Sequence, residues 1–127
     1  MANESPNPKD ESKGRASFDL EERTAKFGEA VIHFAKTVPQ NPVTLPLIGQ
    51  IVRCSTSVAA NYCEADDAVS KKDFKNKIGT CRKESRETKL WLRMLAAAVP
   101  DMKIEARKLW QEAKELHLIF AAIWRKS

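Results

Sequence analysis

The stretch "LPLIGQIVRCSTSVAANYCEAD", residues 45–66, carries Ile48, Ile51, Ser55, Val58, Tyr62 and Ala65 in steps of three and four. That spacing lines one face of an α-helix, whereas a half-buried strand would alternate every second residue. The rhythm averages about 3.5 residues, the period of left-handed packing at shallow crossing angles. Ser55, Ser57, Ala59 and Ala60 are small, so a neighbouring helix can approach this segment closely.

The same rhythm recurs on both sides. Upstream it runs through Leu20, Thr24, Phe27, Val31, Phe34 and Val38. It stops at "TVPQNPVTLP" (37–46), where Pro39, Pro42 and Pro46 forbid a continuous helix. Downstream, "ADDAVSKKD" (65–73) reads as a turn with Ser70 and Asp73 spaced as a capping pair. The third stripe is Phe74, Ile78, Cys81, Ser85, Thr88, Leu92 and Leu95. "VPD" (99–101) ends it, and Asp101 is placed to cap the next helix. The fourth stripe is Met102, Ala106, Leu109, Ala113, Leu116, Phe120 and Ile123.

Helices are therefore expected over about 19–37, 45–66, 71–98 and 102–124. Short connections make successive helices antiparallel. The fold class that follows is all-α, an up-down-up-down antiparallel four-helix bundle. Folding the second helix onto the third about residue 68 pairs Tyr62 with Phe74, Val58 with Ile78 and Ser55 with Cys81. It also brings Arg53 within reach of Glu84.

A chain of 127 residues fits one domain. Four glycines and one tyrosine are too few for the many turns of a β-sandwich. Residues 1–17 are polar, contain Pro6, Pro8 and Gly14, and show no apolar period. They are expected to form a flexible tail ahead of a bundle domain over 18–127. The three cysteines, at 54, 63 and 81, lack the close spacing of a zinc site. Two of them fall inside apolar helical pattern, as small buried side chains in a reducing cytoplasm would. No signal segment and no membrane span are expected.

Glu84 and Glu87 stand three apart, one turn before Trp91. Such a pair can be catalytic, can bind metal, or can be an ion-pair seam. A di-metal bundle needs Glu-x-x-His, but Ala30 precedes His33 and Lys114 precedes His117 at that spacing. Catalysis needs a pocket and a raised pKa, and the sequence displays neither. No metal, cofactor or catalytic residue is expected. The reading left is a polar network of Arg53, Asn61, Glu64, Glu84 and Glu87, with Asn61 and Glu64 facing Lys71, Lys72 and Lys75.

The net charge is +5. Residues 71–93 alone hold nine Lys or Arg against three carboxylates, so the positive charge is concentrated there. If that face meets phosphates, Lys71, Lys72, Lys75, Lys77, Arg82, Arg86, Lys89 and Arg93 are the contacts, and binding is steeply salt-dependent. The end of the last helix, "LHLIFAAIW" (116–124), is apolar nearly all round. Trp110, His117 and Trp124 recur every seven residues. With Trp91 and Phe120 they form an expected interface between copies, because exposed apolar stripes of this size mark contacts.

The order Gln50, Arg53, Ser57, Asn61, Glu64, Ser70, Asp73, Phe74, Lys83, Glu84, Glu87, Trp91 and Leu92 resembles the bacterial four-helix-bundle family first named for intervening sequences in 23S rRNA genes. The accessory proteins of diversity-generating retroelements are similar. The likeness spans about 18–125. It implies a ring, commonly a homopentamer, without known catalytic activity. It also implies a suspected affinity for nucleic acid, RNA or DNA, and in the retroelement branch a partner protein, a reverse transcriptase. Cys54 and Cys63 stand where the family more often has other residues. The function expected is a non-enzymatic, cytoplasmic, oligomeric accessory protein that meets nucleic acid through the third helix. The alternative is a protein-interaction scaffold with no nucleic-acid role.

Overall fold

A computed structural model describes the backbone of residues 8–127 and the side chains of residues 19–127. Four α-helices follow in order: α1 (Pro8–Thr37), α2 (Thr44–Asp66), α3 (Lys71–Ala98) and α4 (Lys103–Lys126). A single 3-10 turn, Pro100–Met102, joins α3 to α4. α2 packs on α1 and α3, α3 packs on α4, and α1 closes on α4. Among the described residues the backbones of diagonal helices stay apart, while side chains such as Tyr62 of α2 and Phe120 of α4 meet across the centre, so the four helices form a square bundle around one core.

The backbone is helical from Pro8, where the composition led to an expectation of a flexible tail through residue 17. Residues 9–16 carry Lys, Glu, Arg and Ala, which are good helix formers even without an apolar face. Residues 1–7 of the expected tail lie outside the described residues.

The three-four stripes build the core. Val31, Ile51, Val58, Ile78, Leu92, Leu95, Leu116 and Phe120 are essentially fully buried. Hydroxyls within the stripes are satisfied inside their own helices. Thr24 donates to the Leu20 carbonyl at 2.8 Å, Ser85 to Cys81 at 2.7 Å and Thr88 to Glu84 at 2.7 Å. The small face of α2 meets α1 at Gly28, where an added Cβ would lie 3.8 Å from Ser55 O and Thr56.

Across the α2–α3 seam Arg53 meets Glu84, as folding about residue 68 predicts. Buried thiols add further contacts: Cys81 Sγ donates to Val58 O at 3.6 Å. Thr88 Oγ1 reaches Cys54 Sγ at 3.2 Å.

The caps divide. Ser70 Oγ accepts from Asp73 N at 3.0 Å, as the spacing predicts. Asp101 does not cap α4. It lies inside the 3-10 turn, and Met102 precedes the helix with no side-chain cap. The start of α2 is held from outside by Asn41, whose Oδ1 accepts from Val43 N at 2.9 Å and Thr44 N at 3.0 Å. Thr44 Oγ1 in turn donates to Pro39 O at 2.6 Å.

Candidate nucleic-acid interface

α3 has two flanks, and the ion pairs sort the charges between them. On the flank toward α2, one guanidinium takes both Glu84 and Glu87. Arg53 Nη1 meets Glu84 Oε2 at 3.1 Å, and Nη2 meets Glu87 Oε1 at 3.2 Å. Arg53 Nε also donates to Gln50 Oε1 at 3.2 Å. Glu84 and Glu87 are thus an ion-pair seam between two helices. The seam has loose ends: Glu84 Oε1 and Trp91 Nε1 are buried and have no hydrogen-bond partner among the described residues. Lys77 belongs to this flank as well, paired with Glu64 at 2.7 Å. Asn61 does not reach across to α3. Its Nδ2 donates within α2, to Ser57 O and Oγ, both at 2.9 Å.

Acids of α4 are taken up on the far side. Arg23 of α1 grips Glu112 with two parallel bonds of 2.8 Å and Glu115 with a third of 2.8 Å. Forked geometry of this kind is the stronger form of ion pair. The hydrogen bond to Glu112 does most to hold the Arg23 guanidinium above its ordinary range, against the opposing effect of burial.

The flank of α3 toward α4 is consequently basic, and it is aromatic too. Lys75 Nζ stands 4.4 Å from the centre of the Trp124 ring, and the Arg82 guanidinium 5.3 Å from it. Lys89 and Lys114 stand 5.6 and 5.7 Å from the Trp110 ring. Gly79 seats Trp124: a Cβ there would lie 3.3 Å from the indole Nε1. Between the two tryptophans sits His117. Burial, then the charges of Lys89, Arg82 and Arg86, push its imidazole below the ordinary pKa. Three cations from α3 therefore converge on one point of α4.

Further along the same flank lies an open cleft of about 470 Å³. Leu92, Ala96, Ala106 and Trp110 form its apolar part, and Arg93, Lys103 and Arg107 stand around it. No carboxylate lines it.

Of the eight expected phosphate contacts, Lys75, Arg82, Arg86, Lys89 and Arg93 share the helical face that turns toward α4. Lys71 and Lys72 are exposed at the start of α3, and Lys77 is on the opposite flank in its pair with Glu64. Of the five residues expected between copies, Phe120 is corrected: it is fully buried in its own bundle, 5.9 Å from the Tyr62 ring. The reason is its place on the stripe of Ala113 and Leu116, which points inward. Trp91 is half-buried on the α2 flank. Trp110, His117 and Trp124 are half-buried under the α3 cations. Sequence reasoning separated the basic helix from the tryptophan stripe, yet the two make one surface. Helix rotation decides this, and a stripe alone does not report it.

No group of three or more His, Cys, Asp or Glu among the described residues could hold a metal ion. No helix there is long and apolar enough to cross a membrane.

The family model described as 23S rRNA-intervening sequence protein matches residues 17–122. The fold is similar to that in the crystal structure of a protein of unknown function from the S23 ribosomal protein family of Bacteroides thetaiotaomicron VPI-5482. The TM-score is 0.78 at 24% identity, over 86% of this chain and 97% of that one. None of the curated proteins is significantly similar to the chain.

Proposed function

Because the chain belongs to the 23S rRNA-intervening sequence protein family, we propose that it is a non-enzymatic RNA-binding accessory protein, acting through the α3 flank that faces α4. The family's name supplies the RNA. The observation that carries the reading is the segregation of charge. The carboxylates of α3 and α4 nearest the bundle seams are engaged by Arg53 and Arg23, while Lys75, Arg82, Arg86, Lys89 and Arg93 converge on the other side. Cations presented in a row bind phosphates by releasing counterions, so affinity falls steeply with salt.

Self-association belongs to the same proposal, and the family resemblance implies a ring of five copies. The surface favoured for it is not the tryptophan stripe, which the α3 cations shield. Leu45, Leu90 and Met94, on α2 and α3, are exposed at 51%, 46% and 37%. Leu90 and Met94 flank Trp91 along α3, and the buried Trp91 N–H has no acceptor among the described residues. Copies meeting there leave the basic flank free, and a ring multiplies the phosphate contacts it offers.

Light scattering with and without RNA, at about 50 and 200 mM salt, tests both parts. The expected result is a multimer whose RNA affinity drops roughly a hundredfold or more across that range, the fall anticipated for several phosphate contacts. A species of 14.3 kDa refutes the ring. Absence of RNA binding at low salt refutes the RNA role and leaves a protein-interaction scaffold.

A further inference from the structure

We propose that the cleft between the end of α3 and the start of α4 seats an unpaired base, so that the protein takes single-stranded RNA in preference to duplex. This inference rests on the RNA reading above and specifies the form of RNA. Three observations support it. The cleft, about 470 Å³, falls in the range of about 300–1,000 Å³ typical of small-molecule sites. Its lining is apolar at Leu92, Ala96, Ala106 and the Trp110 indole, and otherwise consists of Arg93, Lys103, Arg107 and the neutral Gln111, with no acid. The charge thus complements a ligand that is flat and greasy at one end and anionic at the other, as a nucleotide is. Finally, the cleft continues the basic row on α3. From Lys75 to Arg93 that row rises about 27 Å, enough for several nucleotides.

A duplex buries its bases and presents only its backbone and groove edges. It could use the row but not the cleft. A single strand can use both, with phosphates along α3 and a base stacked on Trp110. The lysines now near that ring, Lys89 and Lys114, sit 5.6 and 5.7 Å from its centre on flexible stems. They can yield the ring to a base and turn to the adjoining phosphates. A base that enters is held by stacking, which tolerates any sequence.

The test is fluorescence anisotropy with a labelled 12-nucleotide single-stranded RNA and with the matching 12-base-pair RNA duplex, on the full chain at about 100 mM salt. The wild type is expected to bind the single strand at least tenfold more tightly. Trp110→Leu, which keeps an apolar side chain on the core, is expected to weaken single-strand binding roughly 5- to 100-fold, the range for one stacked base, with little effect on duplex. Ala96→Leu adds bulk to the cleft's apolar lining and removes neither a cation nor the indole, and is expected to do the same. Lys71→Glu with Lys72→Glu should weaken both RNA forms alike. Equal affinity for the two forms, or variants that melt like wild type and bind the single strand unchanged, overturns the cleft proposal while leaving the phosphate-binding reading intact. Failure of both RNA forms to bind overturns that reading itself. Variants that change the multimer mass but not the RNA affinity would assign the cleft to a second copy of the chain and overturn the proposal.

Discussion

At the scale of single residues, two side chains carry the most consequence. Glu84 is buried with one carboxylate oxygen paired to Arg53 and the other unpaired. A buried charge of that kind depends on its one counterion. Arg53→Ala is expected to destabilise the fold by about 1–3 kcal/mol, read as a lower urea midpoint, because it strands the carboxylate. Replacing the pair together, with Arg53→Met and Glu84→Leu, should recover most of that loss. His117 carries a second expectation. Burial and the nearby Lys89, Arg82 and Arg86 lower its folded pKa below the ordinary 6.5. Above that value it is neutral folded and unfolded, and nothing is lost. As pH falls through about 6.5 the unfolded chain takes up the proton first, so the melting temperature should fall between pH 7 and 5. His117→Gln should flatten that slope. Bound RNA should flatten it as well, since phosphates favour the imidazolium.

At the scale of elements, α2 and α3 each contain a helical glycine in a different setting. An added Cβ at Gly49 meets nothing within 4 Å, whereas at Gly79 it would crowd Trp124. Gly49→Ala is expected to stabilise the protein by about 0.5–1 kcal/mol through helix propensity alone. Gly79→Ala should give less than that, or destabilise, and should shift the tryptophan emission as the indole moves. Thermal melts of the two variants side by side check this. The helices themselves were legible because burial enforces a period. Phe27, Val31, Ile51, Val58, Ile78, Leu92 and Leu116 all stand where their stripes placed them. Asn41 was not legible as a cap, because it lies three residues outside the helix in a proline-rich turn whose path is set by Thr44 and Pro39. The pairing of Arg23 with Glu112 and Glu115 was equally hidden. It joins residues about ninety positions apart, and only the closed bundle brings them together. The candidate site was half legible: the cations could be counted, but their rotation onto the tryptophans could not.

At the scale of the whole molecule, the core's integrity can be read from its thiols. Cys54 and Cys81 are buried and Cys63 is exposed. Burial raises the Cys54 thiol and pushes that of Cys81 up to about 12. At pH 8 a maleimide is expected to modify one cysteine per folded chain and three in denaturing urea, as counted by intact mass. Rapid labelling of all three without denaturant would contradict a closed four-helix core.

The lysines lying across the indoles bear on how this surface should be dissected. Lys75 and Lys89 are lids as well as charges, since their stems and ammonium groups cover rings that would otherwise be wet. Truncating them to alanine would strip hydrophobic discs bare, and any lost RNA affinity would be confounded with clumping. Glutamine, which preserves much of the stem and discards the charge, is therefore the cleaner instrument for asking what the positive face does.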